Sequence, residues 1–190
     1  MTKNCAAIVL IALMGLASAV TGADFKHENK PQNLQALFER IHQEVHAKKD
    51  PAQAIALFRA MMPDEMRVRK ALKEKIDAGT VQKITDMHRK LNANMNPEGI
   101  AKIARATQKV VRVHGASTED IARYSEGSVA FKSFPGGAKT VASQSLRPAT
   151  TFYEVEYLEP GKDSGMKYHL IYWDGKQWSM LGPVWRALKS

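Results

Sequence analysis

One stretch near the end constrains this chain more than any other: Tyr168-His-Leu-Ile-Tyr-Trp-Asp-Gly-Lys-Gln-Trp-Ser-Met-Leu181. Asp174-Gly175 is a dipeptide that accepts positive φ at both central positions of a type I′ turn. The residues on either side are aromatic, β-branched or otherwise apolar, which suits paired strands. A two-residue loop sets Trp173 opposite Lys176, Tyr172 opposite Gln177, Ile171 opposite Trp178, Leu170 opposite Ser179 and His169 opposite Met180. Side chains alternate along a strand. One face then carries His169, Ile171, Trp173, Trp178 and Met180, and the other Tyr168, Leu170, Tyr172 and Leu181. Neither face is polar enough to stand in water. The hairpin therefore predicts a sheet covered on both sides, or covered on one and used for binding on the other.

Helices upstream supply the cover. Over 31–47, Leu34, Leu37, Phe38, Ile41 and Val45 form one apolar stripe behind Pro31, a favourable first-turn residue. Asp50-Pro51 and Pro63-Asp64 open helices over 51–62 and 65–76, the second with Met66, Leu72 and Ile76 inward. A fourth, over 80–94, aligns Val81, Ile84, His88, Leu91 and Met95. Asn96-Pro97 opens a shorter fifth over 98–107. No fixed period relates the five, which excludes a helical repeat array.

The pattern then changes. Residues 108–114 alternate as a strand, and Ser117-Thr-Glu-Asp120 has the spacing of a capping box that opens a short helix. Strands are predicted over 128–134, 140–146 and 151–158. The last sends Tyr153, Val155 and Tyr157 one way and Glu154 and Glu156 the other, onto a solvated outer face. Residues 184–188 close the chain as a strand or turn. Helices first and a meander second predict an α+β domain, its N-terminal helices packed on a curved, mostly antiparallel C-terminal sheet. The expected organisation is a leader at 1–23, a helical segment at 24–79 and an α+β domain at 80–190.

This element order, with the Trp173-Asp-Gly-Lys-Gln-Trp178 hairpin, resembles the nuclear-transport-factor-two-like (cystatin-like) superfamily over about residues 80–188. The resemblance implies a strongly curved sheet that wraps helices and encloses a cone-shaped pocket. It also implies that an acid or base on the sheet works inside the cone in the enzymatic, ketosteroid-isomerase-like members. The helices before residue 80 are additional to that pattern.

Lys3, the apolar run at 6–16 and Ala17-Ser18-Ala19 read as a cleavable export signal, with Thr21-Gly22-Ala23 as a second cleavage site. The expected mature protein begins near Val20 or Asp24 and is secreted or periplasmic. The one cysteine, Cys5, falls in the leader, so the domain must hold together without a disulfide. The net charge is +9, and loss of Lys3 lowers it by one. Outside the cytoplasm such a surface points to an anionic envelope component or a protein partner, not to nucleic acid. A homodimer through the sheet is a further expectation. No stretch beyond the leader is long enough to span a membrane.

Motifs for a nucleophile elbow, a phosphate loop or a cofactor are absent. His42 and His46 are four apart but lack the glutamate and third ligand of a zinc motif, so they read as the edge of the apolar stripe. No metal and no cofactor is expected. His169, His114 and Glu126 are the candidates for an acid or base. The expected binding residues are Trp173, Trp178, His169 and Lys176, aromatic area with a cation beside the turn. The functional expectation is an exported, non-catalytic module that binds a small apolar molecule or a protein partner. The alternative is a pocketed enzyme, isomerase- or hydrolase-like, using a buried histidine or carboxylate on the sheet.

Overall fold

The computed structural model describes residues 28–188, and the expected leader lies outside them. Five helices come first: α1 (Pro31–His46), α2 (Pro51–Ala60), α3 (Glu65–Ala71), α4 (Ala78–Ala93) and α5 (Pro97–Ile103). Local chemistry sets most of their starts. The side chains of Asp50, Asp64, Asp77 and Asn96 accept from the N–H groups of Gln53, Arg67, Thr80 and Gly99. Each cap satisfies a donor that the first helical turn leaves without a partner. The Asp77 cap starts α4 ahead of the predicted Thr80. The third helix is shorter than predicted, because Leu72 leaves it to bridge Leu146. Val68 and Ala71 are its buried residues, and Met66, expected inside, is 68% exposed.

The rest of the chain runs β1 (Val110–Ser117), α6 (Thr118–Arg123), α7 (Val129–Ser133), α8 (Gly136–Gln144), β2 (Thr151–Leu158), β3 (Met166–Trp173) and β4 (Trp178–Met180). A 3-10 turn, Val184–Arg186, stands where a final strand or turn was expected. The sheet is antiparallel throughout, in the order β1-β2-β3-β4, and the fold is α+β. Two of the predicted strands, 128–134 and 140–146, are helices. The Ser128 hydroxyl caps α7 by accepting from the Phe131 N–H. In α8 the buried residues Ala138, Val141 and Ala142 fall at helical spacing. A short apolar run does not distinguish the two periods, and here the cap and the small residues decide.

Both faces of the sheet are covered. On one, α1, α2 and α5 pack against Val111, Tyr153, Val155, Tyr157 and Ile171. On the other, α3, α4, α6, α7 and α8 pack against Phe152, Leu170 and Tyr172. Sheet tyrosines fasten three helices. Their hydroxyls donate to main-chain carbonyls: Tyr157 to Phe38 (2.5 Å), Tyr168 to Ile103 (2.7 Å) and Tyr172 to Arg67 (2.6 Å). Burial raises the pKa of all three phenols, so each stays a donor.

The hairpin exists, with a different turn. Trp173 pairs with Trp178, Tyr172 with Ser179 and Ile171 with Met180. The loop is therefore Asp174 to Gln177, closed by the Asp174 N–H on the Gln177 carbonyl at 3.1 Å. Asp174 takes the turn with its side chain, accepting from the Lys176 and Gln177 amides at 2.9 and 3.0 Å. Gly175 has φ of 99°, and Asp174 is not among the positive-φ residues. The type I′ expectation thus fails. The register slips by two residues, a full strand period, so Trp173, Trp178 and Met180 keep their predicted face.

Candidate functional site

The site begins with a bulge in β3. Tyr153 pairs with Ile171 and Val155 with Tyr168, so Glu154 alone faces both His169 and Leu170. Leu170 has φ of 51°. That left-handed conformation costs a leucine about 1–2 kcal/mol. Full burial of its side chain offsets the strain. An extra residue reverses the alternation of everything before it. Tyr168 turns into the first core, with ring centroids 5.5 Å from Phe38 and 5.9 Å from Tyr157. His169 turns to the opposite face, 5.3 Å from the Trp185 ring. The sequence reading had placed both residues the other way.

Beside His169 lies a carboxylate that was expected in solvent. Glu154 is fully buried and Glu156 is 4% exposed. A carboxylate in such a place is costly unless it is paired. The strand register sets bases beside both carboxylates, and those of β3 pair with Glu154. On β1, Arg112 stands opposite Glu156 and His114 opposite Glu154; on β3, Lys167 stands opposite Glu156. His169 Nδ1 is 2.7 Å from Glu154 Oε2, and Lys167 Nζ is 3.5 Å from Glu154 Oε1. Lys167 also donates to the Ser133 carbonyl at 3.2 Å. Glu156 accepts from the Gly165 N–H at 2.7 Å. A Cβ on Gly165 would stand 1.9 Å from the Tyr157 carbonyl oxygen, so only glycine brings the loop this close.

A cavity of about 670 Å³ opens beside this end of β3. It forms where β4 stops at Met180 and strand pairing to β3 stops at Ile171. Leu181 and Gly182 still donate to the carbonyls of Leu170 and His169, at 3.0 and 3.1 Å. Phe58 of α2, Met87 and Leu91 of α4, Ile103 of α5, Met166 and Met180 give an apolar wall. The polar side chains on the wall are His88, Lys167, His169 and Arg186, with Tyr168 committed to the Ile103 carbonyl. No aspartate or glutamate among the described residues lines it.

His88 is the unusual member. It is 2% exposed, and neither ring nitrogen has a hydrogen-bond partner among the described residues. Burial holds its pKa down to about 4; the Leu181 main chain opposes this and Arg67 adds to it. The ring is therefore neutral near pH 7.

Of the four residues expected to bind, Trp173 and Trp178 stand side by side in the hairpin, with Lys176 in its turn. Of the four, only His169 reaches the cavity. Trp178 belongs to the first core at 7% exposure, edge-on to Tyr153 at 5.4 Å and to the half-buried Trp173 at 5.2 Å. Lys176 is exposed in the turn. His114 is half-buried on β1, and Glu126 is exposed before α7. His42 and His46 lie at the end of α5, where helix carbonyls lack intrahelical donors. His42 Nε2 is 3.2 Å from the Arg105 carbonyl, and His46 Nε2 contacts that of Ala104. With Tyr168 on Ile103, three successive carbonyls there have side-chain partners.

Glu154, Lys167, His88 and Arg186 stand at or beside this cavity and were not among the candidate residues read from the sequence. A signal existed for the first two. Arg112-x-His114 and Lys167-x-His169 flank Glu154-x-Glu156 at strand spacing, base against acid against base.

Fold and cavity together define the class: an α+β domain, its sheet covered on both faces, with an apolar cavity at the sheet's unpaired end. No family model, no curated protein and no solved structure matches the chain. No helix among the described residues is long and apolar enough to cross a membrane.

Proposed function

We propose that this protein binds a small, mainly apolar molecule in the cavity beside β3, and that it does so outside the cytoplasm. The cavity carries the reading. Its volume, about 670 Å³, falls within the usual range of small-molecule sites. Its wall contains Met87, Met166 and Met180. Unbranched thioether side chains adapt to varied ligand shapes. The leader read at 1–23 gives the location. N-terminal sequencing of protein from the envelope fraction is expected to start at Val20 or Asp24; an intact Met1 there would refute cleavage.

N-phenyl-1-naphthylamine, a neutral dye that brightens in apolar surroundings, tests the cavity. Saturable binding to the full chain is expected. Met87→Trp fills the space from the half-buried face of α4 and should weaken binding about tenfold or more at an unchanged melting temperature. Dye that fails to bind, or binds the variant equally well, overturns the reading.

The Glu154–His169 pair favours a second reading, an enzyme that moves protons. A carboxylate that fixes one imidazole nitrogen leaves the other free to act as a base toward the cavity. Among the described residues the lining contains no serine, threonine or cysteine to serve as a nucleophile. Ligand recovered unchanged after long incubation supports binding alone. Conversion that His169→Gln abolishes supports catalysis.

A further inference from the structure

We infer that the cavity's ligand is an amphipathic monoacid, an apolar body ending in one anionic group that Arg186 holds at the mouth, with Lys167 beside it. This rests on the cavity reading above and adds the ligand's charge. The observation is an imbalance. Among the described residues the wall contributes two permanent cations, Lys167 and Arg186, and no acid. Two buried carboxylates stand behind it: Glu154, engaged by His169 and Lys167, and Glu156, which accepts from the Gly165 N–H. Their contacts include one of the two cations, Lys167, and leave the other.

Arg186 is that other cation. It is exposed on the closing 3-10 turn, and no described residue makes an ion pair or hydrogen bond with its side chain. A guanidinium presents a planar fork of donors that matches an oxyanion in two places. Away from Arg186, Lys167 and His169 the wall is apolar, formed by Phe58, Met87, Ile103 and Met180 around the neutral His88. An uncharged ligand would leave Arg186 unused, and a cation would meet repulsion from it. A diacid would force a second charge against the apolar wall, where an unpaired ion is disfavoured.

Competition against N-phenyl-1-naphthylamine on the full chain tests this, at low salt and below micelle-forming concentrations. Dodecanoate, dodecanol and dodecyltrimethylammonium share one tail and differ in the head. Dodecanoate is expected to displace the dye about tenfold better than dodecanol, and the cation worst. Because the exposed head site is screened by salt, the advantage should shrink at high ionic strength. Arg186→Gln, at an exposed position, is expected to remove most of the advantage without weakening dodecanol. Equal competition by acid and alcohol, or an advantage undiminished in Arg186→Gln, overturns the head assignment and leaves the cavity reading standing. Loss of dye binding itself would overturn the cavity reading instead. Phosphatidylglycerol vesicles separate a free acid from a bilayer headgroup. Capture by vesicles that dodecanoate fails to compete overturns the free-acid ligand, and capture that it competes away supports the shared site.

Discussion

Replacing Arg67 with alanine is expected to destabilise the protein by roughly 3–5 kcal/mol, the usual loss when one partner of a buried ion pair is removed. Arg67 rises from the first turns of α3 to the hairpin turn. Its guanidinium donates to Asp174 Oδ2 and Ser179 Oγ, both at 2.8 Å, and to the Trp178 carbonyl at 2.8 Å. It also donates to the carbonyls of Ala60 and Met62 at the end of α2, both at 3.1 Å. Tyr172 returns a bond to the Arg67 carbonyl. Burial alone would push the Asp174 carboxyl up. The Lys176 and Gln177 amides, Ser179 and Arg67 outweigh it and hold the group below its ordinary value. One side chain thus ties two helices to β4. Alanine takes the guanidinium away from a carboxylate and three carbonyls.

Lysine should not restore the loss, because a point-like ammonium cannot reach the same acceptors. Urea denaturation of Arg67→Ala, Arg67→Lys, Asp174→Asn and the double variant provides the measurement. Strong non-additivity between Arg67 and Asp174 is expected. A loss under about 1 kcal/mol, additive with Asp174→Asn, would show an ordinary surface pair instead.

The second large effect is acid sensitivity at His88. Its folded pKa is about 4, against an ordinary value of 6.5. Between those values the unfolded chain carries a proton on this ring and the folded chain does not. Stability from this group is therefore present above pH 6.5 and is lost as the pH falls toward 4. A shift of that size corresponds to roughly 3 kcal/mol in total. His88→Leu removes the titration and the two unpartnered nitrogens. At pH 7 the variant should be as stable as the parent or more so. From pH 7 to pH 4.5 the parent should lose roughly 2.5 kcal/mol more than the variant. Parallel losses over that range would mean that His88 takes up its proton in the folded protein as readily as in the unfolded chain. Asp174 adds acid lability at lower pH in both proteins, since its carboxyl is held below its ordinary value.

The two effects share a neighbourhood. Arg67 lowers the His88 pKa, and His88 lines the cavity. The network that anchors the hairpin therefore also helps to keep that wall neutral. Loss of Arg67 should raise the His88 pKa and reduce the acid sensitivity assigned to it.

Much of the helical half was legible because its signals are local. Asp50, Asp64 and Asn96 cap helices within three residues of themselves, and the stripe from Leu34 to Ile41 repeats at 3.6 residues. β2 was legible for the same reason, as an uninterrupted alternation over 151–158. The misread strands at α7 and α8 also had a local signal. Ser128 stands three residues before Phe131, and Ala138, Val141 and Ala142 follow the helical period.

The site was decided elsewhere. Nothing within 166–173 announces that β3 takes an extra residue against Glu154, because a bulge belongs to a pair of strands. That residue moves His169 from the tryptophan face to the glutamate face. Alternation likewise cannot say whether Glu154 and Glu156 meet water or a second layer. The layer comes from α6 to α8, and the compensating bases come from β3. The sequence by itself determined which segments are helix or strand wherever a cap or a period acts over a few residues. Tertiary structure decided the register, the burial of the carboxylates and the cavity. Those depend on which strand lies beside which, and pairing energies between residues distant in the chain leave no periodic trace in either partner alone.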